Sequence, residues 1–161
     1  MRTLIIGIGN PIRGDDGLGW KVAENLSREL ACEPRRDDVH VLATHQLTPE
    51  LAELASRADH VLFIDAAQTG DPGTMTCRRM LPDASAVRQS HALSPAALLG
   101  MTEKLYGRSP AACLLTLAGD TFSIGESFSP AVSAALPALR AKIKRLVDSE
   151  SWENLVGEAG S

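Results

Sequence analysis

Gly7, Gly9, Gly14, Gly17 and Gly19 surround two adjacent carboxylates, Asp15 and Asp16. A carboxylate at the start of a helix accepts free N–H groups and meets the positive end of the helix dipole, so capping explains one of the pair. It leaves the other without a partner, and a free carboxylate at the end of a first strand can ligate a metal or act as a base. The spacing excludes two phosphate-binding loops. A dinucleotide fingerprint needs a glycine where Ile12 stands, and no Gly-Lys-Ser/Thr follows to make a P-loop. Two carboxylates would also repel a pyrophosphate at that helix start.

Other groups with useful chemistry follow apolar runs. Asp65 comes after the run 61–64, His45 and Gln46 after 39–44, and Asp120 after 112–118. His91 stands in a loop just before Ser94-Pro95, a helix start. Two carboxylates and one imidazole leave coordination positions open for water or a substrate group, and imidazole suits nickel or zinc. Asp16 and Asp65 are the carboxylates for such a set, but spacing does not choose between His45 and His91. The plain structural alternatives are that Asp65 caps a turn and His91 fills a loop. His40 and His60 flank strands and read as solvent-facing. There is no Gly-x-Ser-x-Gly elbow and no His-Glu-x-x-His helix, Cys113 lies in an apolar strand, and Cys77 has no histidine nearby, so a conventional protease signature is absent.

The elements that position these groups alternate. Residues 3–8 read as a buried parallel strand, followed by a helix over 16–30 on the stripe Leu18, Val22, Leu26 and Leu30. A strand over 39–44 leads to a helix over 49–56, with Thr48 as N-cap and Pro49 at N1. Strand 61–64, an edge strand over 74–80, a helix over 95–105 and a strand over 112–118 come next. Ser129-Pro130 opens a last helix with Val132, Leu136, Leu139, Ile143 and Leu146 on one face. The pattern predicts an α/β three-layer sandwich, with a mostly parallel central sheet of about five strands and helices on both faces. In such sheets the site lies at the C-terminal ends of the strands. Residues 1–148 read as a single α/β domain, and 149–161 lack periodicity and read as a flexible tail. Trp20 and Trp152 read as exposed contact residues.

Composition sets the class. The 161 residues suffice for one domain with a real core. Apolar residues make up 44% and charged residues 22%, as in ordinary soluble proteins. The net charge of −4 and the lack of a Lys/Arg cluster argue against nucleic acid, and no window approaches a membrane span. The start MRTLIIG is short and lacks a cleavage site, so no signal peptide is expected from it. Cys32, Cys77 and Cys113 are odd in number and far apart, which suits a reducing cytoplasm.

The motifs also resemble a known family. Gly7-x-Gly9-Asn10, Asp15-Asp16-Gly17-x-Gly19, Phe63-Ile64-Asp65-Ala66, the His91 loop and Phe128-Ser129-Pro130-x-Val132 occur in order. Together they are similar to the motifs of the nickel–iron hydrogenase maturation endopeptidases, over nearly the whole chain. His45-Gln46-Leu47-Thr48-Pro49-Glu50-Leu51 resembles a subgroup serving soluble bidirectional hydrogenases. The resemblance implies a parallel-sheet α/β fold and removal of a C-terminal extension from the hydrogenase large-subunit precursor after nickel insertion. It implies Asp16, Asp65 and His91 as metal-binding and catalytic positions, the first often glutamate in the family; aspartate is shorter but keeps the charge and donor atoms. The resemblance implies that the substrate brings the nickel, so the isolated protein is expected to be metal-free or weakly occupied; a cytoplasmic monomer is expected as well. Gly9 and Asn10 would shape the loop, and Gly14 and Gly17 would let the precursor's backbone approach. Two rival readings remain. The run Ile6-Gly7-Ile8-Gly9-Asn10-Pro11 also resembles peptidyl-tRNA hydrolases, without their His-Asn pair or a basic surface. A non-catalytic nickel- or partner-binding protein could use the same ligands.

Overall fold

Alternate residues of β1 (Thr3–Ile8) face opposite sides of the sheet, and both sides are buried: Leu4 and Ile6 on one, Ile5 on the other. The computed structural model describes residues 2–33, 36–86, 93–125 and 127–157. After a 3-10 turn over Gly14–Gly17 come α1 (Leu18–Ala31), β2 (Val39–Thr44), α2 (Leu51–Ser56), β3 (His60–Ala67) and β4 (Met75–Met80). A second 3-10 turn over Ala84–Ala86 leads to α3 (Pro95–Tyr106), β5 (Ala111–Ala118) and α4 (Pro130–Asp148).

The strand order is β2-β1-β3-β5-β4, parallel except for β4, which runs antiparallel on the edge. Ile5, Leu62, Ile64, Leu115 and Leu117 pack with Leu18 and Val22 of α1 and with Val132, Leu139, Ile143 and Leu146 of α4. Leu4, Ile6, Val61 and Phe63 pack on the other face with Ala52 and Ala55 of α2 and Leu98 and Leu99 of α3. This is the expected three-layer α/β sandwich. The Ser-Pro starts hold as read: Ser94 Oγ accepts the N–H of Ala97 at 3.1 Å, and Ser129 Oγ that of Val132 at 3.4 Å.

Five expectations change. The first helix starts at Leu18 rather than residue 16. The Asp16 carbonyl accepts the N–H of Asn10 at 3.1 Å and closes the preceding loop on itself, which holds residues 14–17 in a tighter turn. The second helix starts at Leu51 rather than residue 49, and no side chain caps it. The segment after α4 is packed, not frayed, through residue 157. Trp152 is buried, its Nε1–H donates to the Leu146 carbonyl at 2.9 Å, and its ring lies 4.6 Å from that of His60. Gly157 exchanges backbone hydrogen bonds with Cys77 and Arg79 of β4. Trp152 is therefore core, and His60 is half-buried rather than solvent-facing.

Candidate active site

The chain passes from β1 to β2 on one side and returns to β3 on the other side of β1. Ligands of such sheets bind where the order reverses, at the C-terminal strand ends. A cleft of about 420 Å³ opens there, lined by Ile8, Gly9, Asp16, His45, Gln46, Leu47, Asp65, Leu93, Ser94 and Pro95. A larger hollow of about 560 Å³ lies at the opposite end of the sheet, near His60 and Trp152, and holds neither aspartate.

Asp65 reaches the cleft because β3 outruns β1. The β1–β3 pairing ends at Gly7 and Ile64, while β3 continues against β5 with Asp65 opposite Thr116. The period of two puts Asp65 on the face of Val61 and Phe63, the side that α3 covers. Its Oδ1 accepts the N–H of Ala66 at 2.8 Å. Burial raises its pKa; that hydrogen bond opposes the rise, the nearby Asp16 carboxylate adds to it, and the group is pushed up to about 7. A carboxyl group titrating near neutrality can hold a proton or give it up.

Asp15 and Asp16 take different jobs, and neither is a helix cap: α1 has no side-chain cap bond. Asp15 is fully buried and binds the β5–α4 loop. Its Oδ2 accepts the N–H groups of Asp120 at 2.8 Å and Thr121 at 3.0 Å, and its Oδ1 that of Ser129 at 2.8 Å. Burial alone would raise its pKa, but the hydrogen bonds from Asp120, Ser129 and Thr121 favour the charged form and hold it below the usual value. Asp16, one residue on, is left free to face the cleft. Asp120 meets Asp15 only through its backbone; its exposed side chain is not among the cleft residues.

The glycines make room for the chain's own backbone. A Cβ on Gly9 would lie 2.0 Å from the Asp16 carbonyl oxygen, and one on Gly19 2.2 Å from that of Ile64. Gly14 (φ +56°) abuts the Thr121 carbonyl and Gly17 abuts Pro11; both are buried. Gly14 and Gly17 are expected from the resemblance to let the precursor's backbone approach; instead they face this chain's own backbone. Their space is already filled.

His45 lines the same cleft as Asp16 and Asp65, with its ring 4.7 Å from that of Trp20. Leu47 bridges to Leu93, joining the loop after β2 to the start of α3. His91 lies outside the described residues, but Leu93, Ser94 and Pro95 just after it line the cleft. Among the described residues, no three His, Cys, Asp or Glu side chains are grouped to hold a metal. The sequence missed the job of Asp15, because no local signal marks partners more than a hundred residues away.

No family model matches the sequence, and no curated protein does. Solved structures do. A nickel–iron hydrogenase maturation protease, HycI, from Thermococcus kodakarensis is 24% identical, with TM-score 0.70 over 92% of this chain and 93% of that one. An endopeptidase from Escherichia coli is 26% identical, with TM-score 0.65 over 93% and 94%. The hydrogenase 2 maturation peptidase of a Thaumarchaeota archaeon is 25% identical, with TM-score 0.65 over 91% and 98%. Motifs and structure therefore agree: over nearly its whole length this chain is similar to the hydrogenase maturation peptidases.

Proposed function

We propose that this protein is an endopeptidase that removes the C-terminal extension of a nickel–iron hydrogenase large-subunit precursor after nickel insertion. The observation that carries this reading is the convergence of Asp16 and Asp65 in one open cleft at the switch point of a fold shared with hydrogenase maturation peptidases. Asp16, Asp65 and His91 are the ligands and catalytic groups in this proposal, and the nickel arrives with the substrate. His91 is favoured by the cleft-lining residues that follow it, and His45 is the second histidine at the site.

A metal brought against Asp65 lowers its pKa and draws off its proton. Metal-free, Asp65 keeps that proton to about pH 7. Such a pair can recognise bound nickel, and the freed carboxylate can then take a proton from a water attacking the scissile carbonyl and return it to the leaving amine as the C–N bond breaks, an aspartic-type hydrolysis. The cleft wall includes His45, Gln46 and Leu47, which supports a precursor of the soluble bidirectional type. Free Cys32, Cys77 and Cys113 suit a reducing cytoplasm. Among the described residues no helix is long and apolar enough to cross a membrane. We take the enzyme to act as a monomer.

The test is cleavage of a purified nickel-loaded precursor, read as a loss of mass. Wild type should cleave and Asp16→Ala should not. Cleavage by both would remove Asp16 from the site. Binding of the precursor by wild type without any mass loss would favour the non-catalytic binding protein.

A further inference from the structure

Ile12 and Ile124 are 53% and 83% exposed. Single exposed aliphatics are ordinary, but these two sit on loops joined to each other. The Ile12 carbonyl accepts the N–H of Gly125 at 2.8 Å, and Arg13 forms a bridge with Gly125. Gly14 N–H donates to the Gly125 carbonyl at 2.7 Å, and Asp15 N–H to that of Thr121 at 2.8 Å. The buried Asp15 carboxylate adds its bonds to Asp120, Thr121 and Ser129. Two loops more than a hundred residues apart in the chain are thus joined into one ledge carrying two aliphatic side chains in water.

One of the two loops borders the cleft. The loop bearing Ile12 is closed by the Asn10–Asp16 hydrogen bond, and Gly9 and Asp16 at its ends both line the cleft. Ile12 lies four residues from Asp16, at most ~14 Å along the chain. A polypeptide entering the cleft from a folded body therefore brings that body close to this ledge. Pre-ordered aliphatic contacts lose little freedom on docking.

We propose that Ile12 and Ile124, on the ledge held by Asp15, dock an apolar patch of the precursor's folded body beside its C-terminal segment. This rests on the proposed function and names where the partner is held. Docking groups act on binding and leave the chemical step alone.

The experiment compares wild type with the Ile12→Ser/Ile124→Ser double variant on nickel-loaded precursor. Both kinetics and direct calorimetric binding are read. Leu105→Ser, an equally exposed site (63%) at the far end of α3, is the control. The double variant should raise KM and Kd about tenfold, with kcat within about twofold and the control unchanged. Unchanged KM and Kd, or a loss confined to kcat, overturn the proposal. Self-association of wild type that the double variant loses, with no change in precursor Kd, also overturns it and makes the ledge an interface between copies. If wild type fails to cleave, the proposed function fails separately. Calorimetry then decides docking: weaker binding by the double variant sustains it, and equal or absent binding overturns it.

Discussion

The Asp15 carboxylate accepts the backbone N–H of Ser129 at 2.8 Å, across 114 residues of chain. This bond ties the turn before α1 to the N-cap residue of α4, and it sits one residue from Asp16. Asp15→Asn keeps the shape but places an amide donor against three N–H donors. It should destabilise the protein at neutral pH by about 3 kcal/mol, read by chemical denaturation. The sign with pH follows from the lowered pKa. The charged group stabilises the fold above its unfolded value of 3.8, and that stability is lost as pH falls through the lower folded value. The gap between wild type and variant should therefore shrink in acid.

Asp65 behaves in the opposite sense. Its folded pKa is about 7 against 3.8 for the free group. Between these values the folded protein holds a proton that the unfolded chain has released. The metal-free protein should thus lose stability as pH rises through that window and level off above about 7. Asp65→Asn should flatten this part of the curve and be the more stable protein above pH 7. Titration of Tm against pH checks both; a flat wild-type profile would refute the shift.

Gly19 faces the carbonyls of Ile8 and Ile64, which a Cβ would meet at 2.3 and 2.2 Å. Gly19→Ala should push α1 off the sheet and cost about 3 kcal/mol, read by denaturant midpoint. Because α1 starts two residues after Asp16, cleavage of the precursor should fall as well.

The packed segment after α4 predicts a cost for its anchor. Trp152→Ala removes a buried ring, its bond to the Leu146 carbonyl and its contact with His60. The loss should be about 3–5 kcal/mol. Truncation after residue 148 should cost at least as much, and a truncated chain of wild-type stability would show that residues 149–157 contribute nothing.

Much of the architecture is readable in the linear pattern. Residues 3–8 and the Ser94 and Ser129 helix starts come out as read, because their signals are local: a short apolar run, and a capping hydroxyl before proline. The order of the motifs carries the resemblance to the hydrogenase maturation peptidases, and the fold matches it. The strand-end rule selects Asp16 and Asp65, since both follow apolar runs. It also selects Asp120, whose side chain is not among the cleft residues. A rule about chain position does not know which way a side chain faces.

Tertiary structure alone decides the rest. Asp15 and Asp16 are identical in type and adjacent in sequence, yet one is a buried tie and the other a cleft carboxylate. The residues that separate them, Asp120, Thr121 and Ser129, lie more than a hundred positions away. The raised pKa of Asp65 has the same origin: burial under α3 and the approach of Asp16 exist only once β1 and β3 pair. Residues 149–157 lack periodicity because one tryptophan and a backbone pairing with β4 hold them, and neither leaves a repeating pattern. Local propensity fixes the elements; hydrogen bonds and charges between distant residues assign their work.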